Sequence, residues 1–406
     1  MSDGELTVWC AIALVFVLFQ GSATIVLLSR LVKGPTRRRP VTPKKATGDQ
    51  LGKVSVIIPT LNEADRIAPC LEGITKQGYE LREAIVVDSR STDNTQGLVK
   101  TQAATDPRFR LMEDAPLPEN WVGRPWALHS GYLASSENSQ WVLGIDADTQ
   151  PQPGMISAIL AAAEAEDYDL VSFAPQFILK DPGELILQPA LLMTLVYRYG
   201  PSGANPDGPD RVMANGQCFL VKRSCLDAVE GYTCASDSFC DDVTLARKIA
   251  SQGYKVGFLD GAKVIKVRMY EGAKETWTEW GRSLDLKDAA TPAQVWSDVA
   301  FLSAVQGLPL PMAIALEIAR LQSDLPLWDT LPLQILFWLN VSLVAIRFAL
   351  NAAILGSYDL QGGLWSWLFF LSPLADPLAA LRIALSSSRV PTQWRGRQYS
   401  TTNPTT

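Results

Sequence analysis

The acidic residues of this chain fall where carboxylates can do chemistry. Glu63 follows VSVIIPTLN, Asp88 closes AIVVD, Asp146 and Asp148 form a D-A-D turn after WVLGI, and Asp241 with Asp242 precedes VTLARKIASQGYKV. In an extended segment alternate residues share a face, so Asp146 and Asp148 can together bind a hard divalent cation and, through it, phosphate oxygens. Alone the D-x-D spacing is a weak signal, because acidic turns are common. Other chemistries find less support. The single histidine, His129, offers no metal pair and is expected to pack or hydrogen-bond. The six cysteines show no C-x-x-C spacing, which argues against zinc and for free buried thiols. No G-x-x-x-x-G-K-[ST] phosphate loop occurs.

The elements that must position these acids can be read from periodicity. Between Lys53 and about Asp260, β-branched runs (KVSVII, AIVVD, WVLGID) alternate with helical patterns at 64–76, 94–104 and 154–166. That alternation predicts an α/β fold with a mixed, mostly parallel sheet covered by helices on both faces. Ligands of such sheets sit at the carboxyl ends of the strands, which is where the acids lie.

The flanks are of another kind. With 406 residues, 47% hydrophobic and 19% charged, the chain is apolar for a soluble enzyme. Thr7 to Leu28 carries no charge and would be ~33 Å long as a helix, enough to cross a bilayer. Asp3 and Glu5 precede it where a signal peptide would carry a basic residue. Seven Lys and Arg follow between residues 30 and 45 without an acid, which places the next domain in the cytoplasm. Prolines 35, 40 and 43 make that stretch an extended tether. Near the other end, Leu331–Gly356 and Gly363–Ser386 are each long enough to span, and read as a hairpin with its loop outside and the tail inside. Parity then makes Val295–Ile318, broken by Pro309 and Pro311, an interfacial segment. The expected layout is a transmembrane helix at 1–29, a basic linker at 30–50, a catalytic domain at 51–285, a membrane-associated segment at 286–330, a hairpin at 331–386 and a cytoplasmic tail at 387–406. A net charge of −6 argues against nucleic acid as a partner.

Taken together, VSVIIPTLNE, VVDSRSTDNT, GRPWALHSGY, GIDADT, ANGQCFLVKR and CDDVTLARKIASQGYKV resemble, in order, the motifs of the inverting family 2 glycosyltransferases, whose fold is called GT-A. The resemblance covers about residues 53 to 285. It implies that Pro59, Thr60, Asn62, Glu63 and Asp88 hold the base and ribose of a UDP- or GDP-sugar. It implies that Asp146 lies near the ribose, that Asp148 coordinates Mg²⁺ or Mn²⁺ on the diphosphate, and that Asp242 is the general base. An acceptor hydroxyl has a pKa far above 7, so its proton must leave as the new bond forms. Asp241 and Arg282 are expected near the acceptor or the diphosphate.

Departures from the pattern narrow the reading. Ser89 stands where a second acid is common, Arg124 where a Lys is usual and His129 where an Asn is usual. Arg124 keeps a positive charge for the diphosphate, or else makes a surface salt bridge. The processive members' Gln-x-x-Arg-Trp is represented only by Glu279, Arg282 and Ser283, which puts polymer synthesis in doubt. Trp277, Trp280 and Trp296 either present a lipid-dissolved substrate or anchor the domain. WVGRPWAL, GRSLDLKD and W-R-G-R-x-Y resemble segments of membrane glycosyltransferases of carotenoid pathways, which implies a hydroxycarotenoid or other lipid acceptor. Two alternatives stand beside it: transfer to a polyprenyl phosphate, and a non-catalytic scaffold that binds nucleotide sugar.

Overall fold

The computed structural model describes residues 3–280, 284, 286–322, 330–388, 393–394 and 397–398. The strands are β1 (Val54–Thr60), β2 (Leu81–Asp88), β3 (Phe109–Glu113), β4 (Trp141–Ile145), β5 (Thr149–Pro151), β6 (Leu170–Ala174), β7 (Gln176–Leu179), β8 (Cys218–Lys222), β9 (Val256–Asp260), β10 (Ile265–Val267) and β11 (Tyr358–Leu360). The principal helices up to residue 251 are α1 (Asp3–Leu31), α2 (Ala68–Thr75), α3 (Thr95–Thr105), α4 (Gly123–Ala134), α5 (Met155–Ala165), α6 (Pro182–Tyr199), α7 (Arg223–Ala228) and α8 (Asp241–Ser251).

Seven strands form one sheet in the order β3-β2-β1-β4-β8-β6-β9. The first four are parallel, β8 runs antiparallel to both neighbours, and β6 and β9 are again parallel. This is the mixed, mostly parallel α/β sheet expected of a GT-A fold. β1 and β4 are apolar and almost wholly buried because helices cover both faces. One face packs α2 and α5 through Leu71, Ile74, Ile156 and Ile159; the other packs α4, α7 and α8 through Leu128, Leu226, Leu245 and Ile249. Each such side chain contributes roughly 1.5–3 kcal/mol on burial. α4 approaches β1 closely because Gly131 lies over Ile57, where a Cβ would come within 2.4 Å of Ile57 Cγ2. Connections leave β1 toward β2 on one side and β4 lies on the other, so the crevice of this sheet opens at the carboxyl ends of β1 and β4.

A second sheet, β11-β7-β10-β5, ties the C-terminal region to this domain. β11 pairs in parallel with β7, Tyr358 opposite Phe177 and Leu360 opposite Leu179, and Lys266 Nζ lies 2.9 Å from Asp359. The loop between the two arms of the expected hairpin adds a strand, β11, to a sheet that includes β7 and β10 of the α/β domain.

Gly4–Leu31, Leu331–Ser357 and Gly363–Ser387 are long and apolar enough to cross a membrane; Pro292–Gly307 and Pro309–Gln322 also qualify together, bent by 49° at the break. α1 and the helix Leu331–Ile354 run parallel. Ala13 packs with Leu333 and Leu336, Gln20 exchanges hydrogen bonds with Asn340, and Leu27 joins the cluster of Leu343 and Leu350. The bent helix rises beside them: Asp298 pairs with Arg211 at 3.0 Å on the catalytic domain, Ala304 O accepts from Gln20, and Leu316 reaches the Ala13 level. Residues 363–387, by contrast, stay against the catalytic domain. Gly362 meets Leu185, Arg382 Nε donates to Trp277 O and Lys287 Nζ donates to Ser386 O.

Candidate active site

The parallel sheet brings the predicted residues together in two groups. The first lies where β1 and β2 end. Asp88 is fully buried, and both its oxygens are occupied: Thr60 Oγ1 and Ser91 Oγ donate to one, the Ser91 amide and Gln96 Nε2 to the other. Asn62 sits at φ 55°, a conformation that asparagine tolerates better than most residues, and its Oδ1 accepts from the Thr92 amide. The buried Glu63 carries the amide that donates to Thr95 Oγ1. Pro59 stands beside Val87 in the strand register. These residues therefore lock the two strand-end loops to one another. Ser91, Gln96 and Thr95, which sequence reasoning passed over, complete that network; their signal was the polar run SRSTDNTQ. Ser89, standing where an acid is common, donates to Asp114.

The second group lines a cleft of about 190 Å³ on the β4 side of the crevice. Asp146 enters it from the end of β4, Asp241 and Asp242 from the first turn of α8, and Arg124 from the first turn of α4. Two acids at a helix start are favoured by its dipole. Arg124 makes salt bridges, but not on the surface. Its guanidinium is neither on the surface nor free: Nε donates to Asp146 at 2.9 Å, Nη1 pairs with Asp241, and Nη2 donates to Gly216 O at 2.8 Å. Burial works against the Arg124 charge, but the flanking carboxylates outweigh it and raise its pKa. The arrangement depends on Gly216, since a Cβ there would lie 2.4 Å from Arg124 Nη2. The ANGQ run before β8 carried that signal.

Asp242 is the acid left over. It is only partly covered, lines the cleft, and uses Oδ1 to accept from the Val243 amide at 2.9 Å. Burial, then the charge of Asp241, pushes its pKa up to about 7, with Arg124 opposing. A carboxyl so placed can take up a proton near neutral pH, which suits a base. Burial likewise raises Asp241.

Asp148 lies two residues beyond Asp146 in the turn between β4 and β5, not in the extended segment expected for the pair. Its Oδ1 is buried without a hydrogen-bond partner, and burial together with the Asp146 charge pushes its pKa up to about 7. An orphaned, charge-averse carboxylate of this kind fits a cation. Among the described residues no group of three or more Asp, Glu, His or Cys side chains gathers to hold a metal, so a hard cation here would complete its shell from water and a phosphate. Arg282 lies outside the described residues. His129 packs among Trp121, Trp126 and Tyr132, and its Nδ1 accepts from the Tyr232 amide at 3.4 Å.

Residues 55–229 match the glycosyl transferase family 2 model. Over these residues, less than half of the chain, the protein is similar to the family 2 glycosyltransferases. The match stops before α8, so the placement of Asp241 and Asp242 beside Asp146 comes from the fold and not from the family model. A 4,4'-diaponeurosporenoate glycosyltransferase of Staphylococcus haemolyticus is 24% identical over 62% of this chain and 66% of its own length. An undecaprenyl-phosphate 4-deoxy-4-formamido-L-arabinose transferase of Proteus mirabilis is 31% identical over 31% of this chain and 38% of its own. The chain thus spans just under two thirds of the first relative and little more than a third of the second. Among solved structures, a mannosyltransferase from Pyrobaculum calidifontis in complex with GDP-Man and Mn²⁺ superposes with a TM-score of 0.51 and 22% identity, covering 91% of this chain and 98% of that one. That likeness concerns the fold alone.

Proposed function

We propose that the protein is a membrane-bound inverting glycosyltransferase that moves one sugar from a UDP- or GDP-sugar to the hydroxyl of a membrane-dissolved acceptor. The favoured acceptor is a hydroxycarotenoid, with myxol-type 2'-O-glycosylation as the specific reading. The observation that carries the proposal is the cleft: Asp242 faces it with a carboxyl near neutrality, while Arg124 ties down Asp146 and Asp241 beside it. The carotenoid acid in the name of the Staphylococcus relative supports the acceptor class.

In this reading the Thr60, Asn62, Glu63 and Asp88 loops seat the base and ribose. Asp146 and Asp148 would hold a divalent cation, Mg²⁺ or Mn²⁺, which when bound neutralises charge on the nucleoside diphosphate. Asp242 accepts the proton of the acceptor hydroxyl as its oxygen attacks the anomeric carbon from the face opposite the diphosphate, giving inversion without a covalent enzyme intermediate. Arg124 fixes Asp146 and Asp241, so the reacting groups need little reorganisation.

The membrane arrangement belongs to the same proposal. α1, the bent helix Pro292–Gln322 and Leu331–Ile354 cross the bilayer, and residues 363–387 lie along its cytoplasmic surface. The parallel packing of α1 with Leu331–Ile354 and the pairing of β11 with β7 support it, as does the basic run after α1. Two crossings between the catalytic domain and the tail keep both on one side. Maleimide labelling of Gln322→Cys in intact cells, with Ser357→Cys labelled only after permeabilisation, is the expected pattern; the reverse would overturn this topology.

The function is tested by incubating protein in lipid nanodiscs with UDP- and GDP-sugars and three acceptors: a hydroxycarotenoid, a polyprenyl phosphate and none. A glycosylated carotenoid of inverted anomeric configuration is expected. Transfer only to polyprenyl phosphate, and undiminished in Asp242→Asn, selects the alternative that the Proteus relative suggests. Nucleotide binding without any transfer selects the scaffold.

A further inference from the structure

A second cavity, of about 430 Å³, lies between the active-site cleft and the membrane helices. Its inner wall is the wall of the cleft: Leu195 of α6 and the segment Met213–Asn215 line both. Its outer wall is made by Leu31 at the end of α1 and by Leu350, Ala353 and Ile354 at the end of the helix Leu331–Ile354. Both helices are apolar enough to cross a bilayer, and both leave large apolar side chains exposed near this end, among them Ile25, Val32 and Leu355. The cavity thus shares a wall with the cleft on one side and is bounded on the other by the ends of two helices apolar enough to meet lipid.

The chemistry of the wall decides the occupant. It is mostly aliphatic and aromatic, and its one charged side chain among the described residues, Arg37, is paired with Asp260 at 3.4 Å. A half-buried cation already paired with a carboxylate offers little to a phosphate head, whereas apolar surface rewards a hydrocarbon. Resting on the reading of the active site given above, we infer that this cavity seats the apolar chain of the acceptor next to its hydroxyl end. The remainder of the chain stays in the bilayer beside the packed pair of α1 and Leu331–Ile354. The segment Met213–Asn215 then separates hydrocarbon from the polar cleft, and Leu195 sets how far the hydroxyl reaches toward Asp242.

Two substitutions on opposite walls test the cavity, Val196→Trp on α6 and Ala353→Trp on the outer helix. For each, kcat/KM is measured with a long-chain hydroxylated acceptor and with a short water-soluble alcohol. The long-to-short ratio should fall at least tenfold, chiefly through KM for the long acceptor. An unchanged ratio in both variants overturns the inference. A diazirine-bearing long-chain alcohol tests it without turnover: photolabelling of wild type within residues 192–199 or 350–354, reduced in Val196→Trp, is expected. Labelling elsewhere, or none, refutes the cavity even if transfer is confirmed. If wild type labels there but transfers to no hydroxyl, the cavity stands and the hydroxyl-acceptor reading fails.

Discussion

Asp242→Asn separates a base from a structural acid, because the structure assigns the wild-type carboxyl a cost that the amide does not bear. A carboxyl whose pKa moves from its ordinary 3.8 to about 7 on folding is penalised when charged by on the order of 4 kcal/mol. The sign follows from linkage. Between pH 4 and 7 the folded protein keeps a proton that the unfolded chain has released, so stability falls as pH rises through that window and levels off above about 7. Asparagine preserves the acceptor for the Val243 amide and carries no charge. The variant should therefore match wild type in stability near pH 4 and exceed it above pH 7, by up to about 4 kcal/mol, less whatever solvent screening the open cleft supplies. Transfer should fall 10²–10⁴-fold, and the wild-type rate should itself drop as pH falls below about 7. The assays are thermal melts of detergent-solubilised protein from pH 4 to 8 and initial rates over the range in which the protein stays folded. Equal stability of the two proteins at pH 8, or full transfer by the variant, would refute the reasoning.

Three further outcomes follow from the same geometry. Asp148→Asn should abolish the rise in melting temperature that Mn²⁺ with a nucleoside diphosphate gives wild type; in wild type the Mn²⁺ needed for half effect should increase about tenfold per pH step below 7, because a proton competes for that carboxylate. Gly216→Ala places a methyl 2.4 Å from Arg124 Nη2, so kcat should drop more than tenfold while nucleotide affinity, measured by calorimetry, changes less. Arg347 and Asp376 form a buried ion pair at 2.9 Å between the helix Leu331–Ile354 and the C-terminal layer. Arg347→Leu or Asp376→Leu alone should cost about 3–5 kcal/mol of stability, whereas the double substitution should recover most of it in a thermal melt.

The sequence determined the α/β domain and the places of its acids, since both follow from local rules. A strand buried on two faces has to be apolar along its length, as VSVII, AIVV and WVLGI are, and the residues that follow such strands lie in the crevice of a parallel sheet. It also showed the apolar flanks and the basic run that follows the first of them. Tertiary structure decided what each group can do. Arg124 reads only as a positive charge until α4, β4 and α8 converge and pair its guanidinium with Asp146, Asp241 and Gly216. Asp88 reads only as a strand-end acid until its two oxygens are seen to gather Thr60, Ser91 and Gln96. The pairing of the loop at 357–362 was hidden for the same reason. Charge counting sees the loop at 357–362 only as lacking Lys and Arg, and cannot see that β7 offers its backbone an edge to pair with. Charge pairing of Arg124 with Asp241 and strand pairing of β7 with β11 join segments more than 100 residues apart, have no period in the sequence, and need the folded chain to bring the partners within reach.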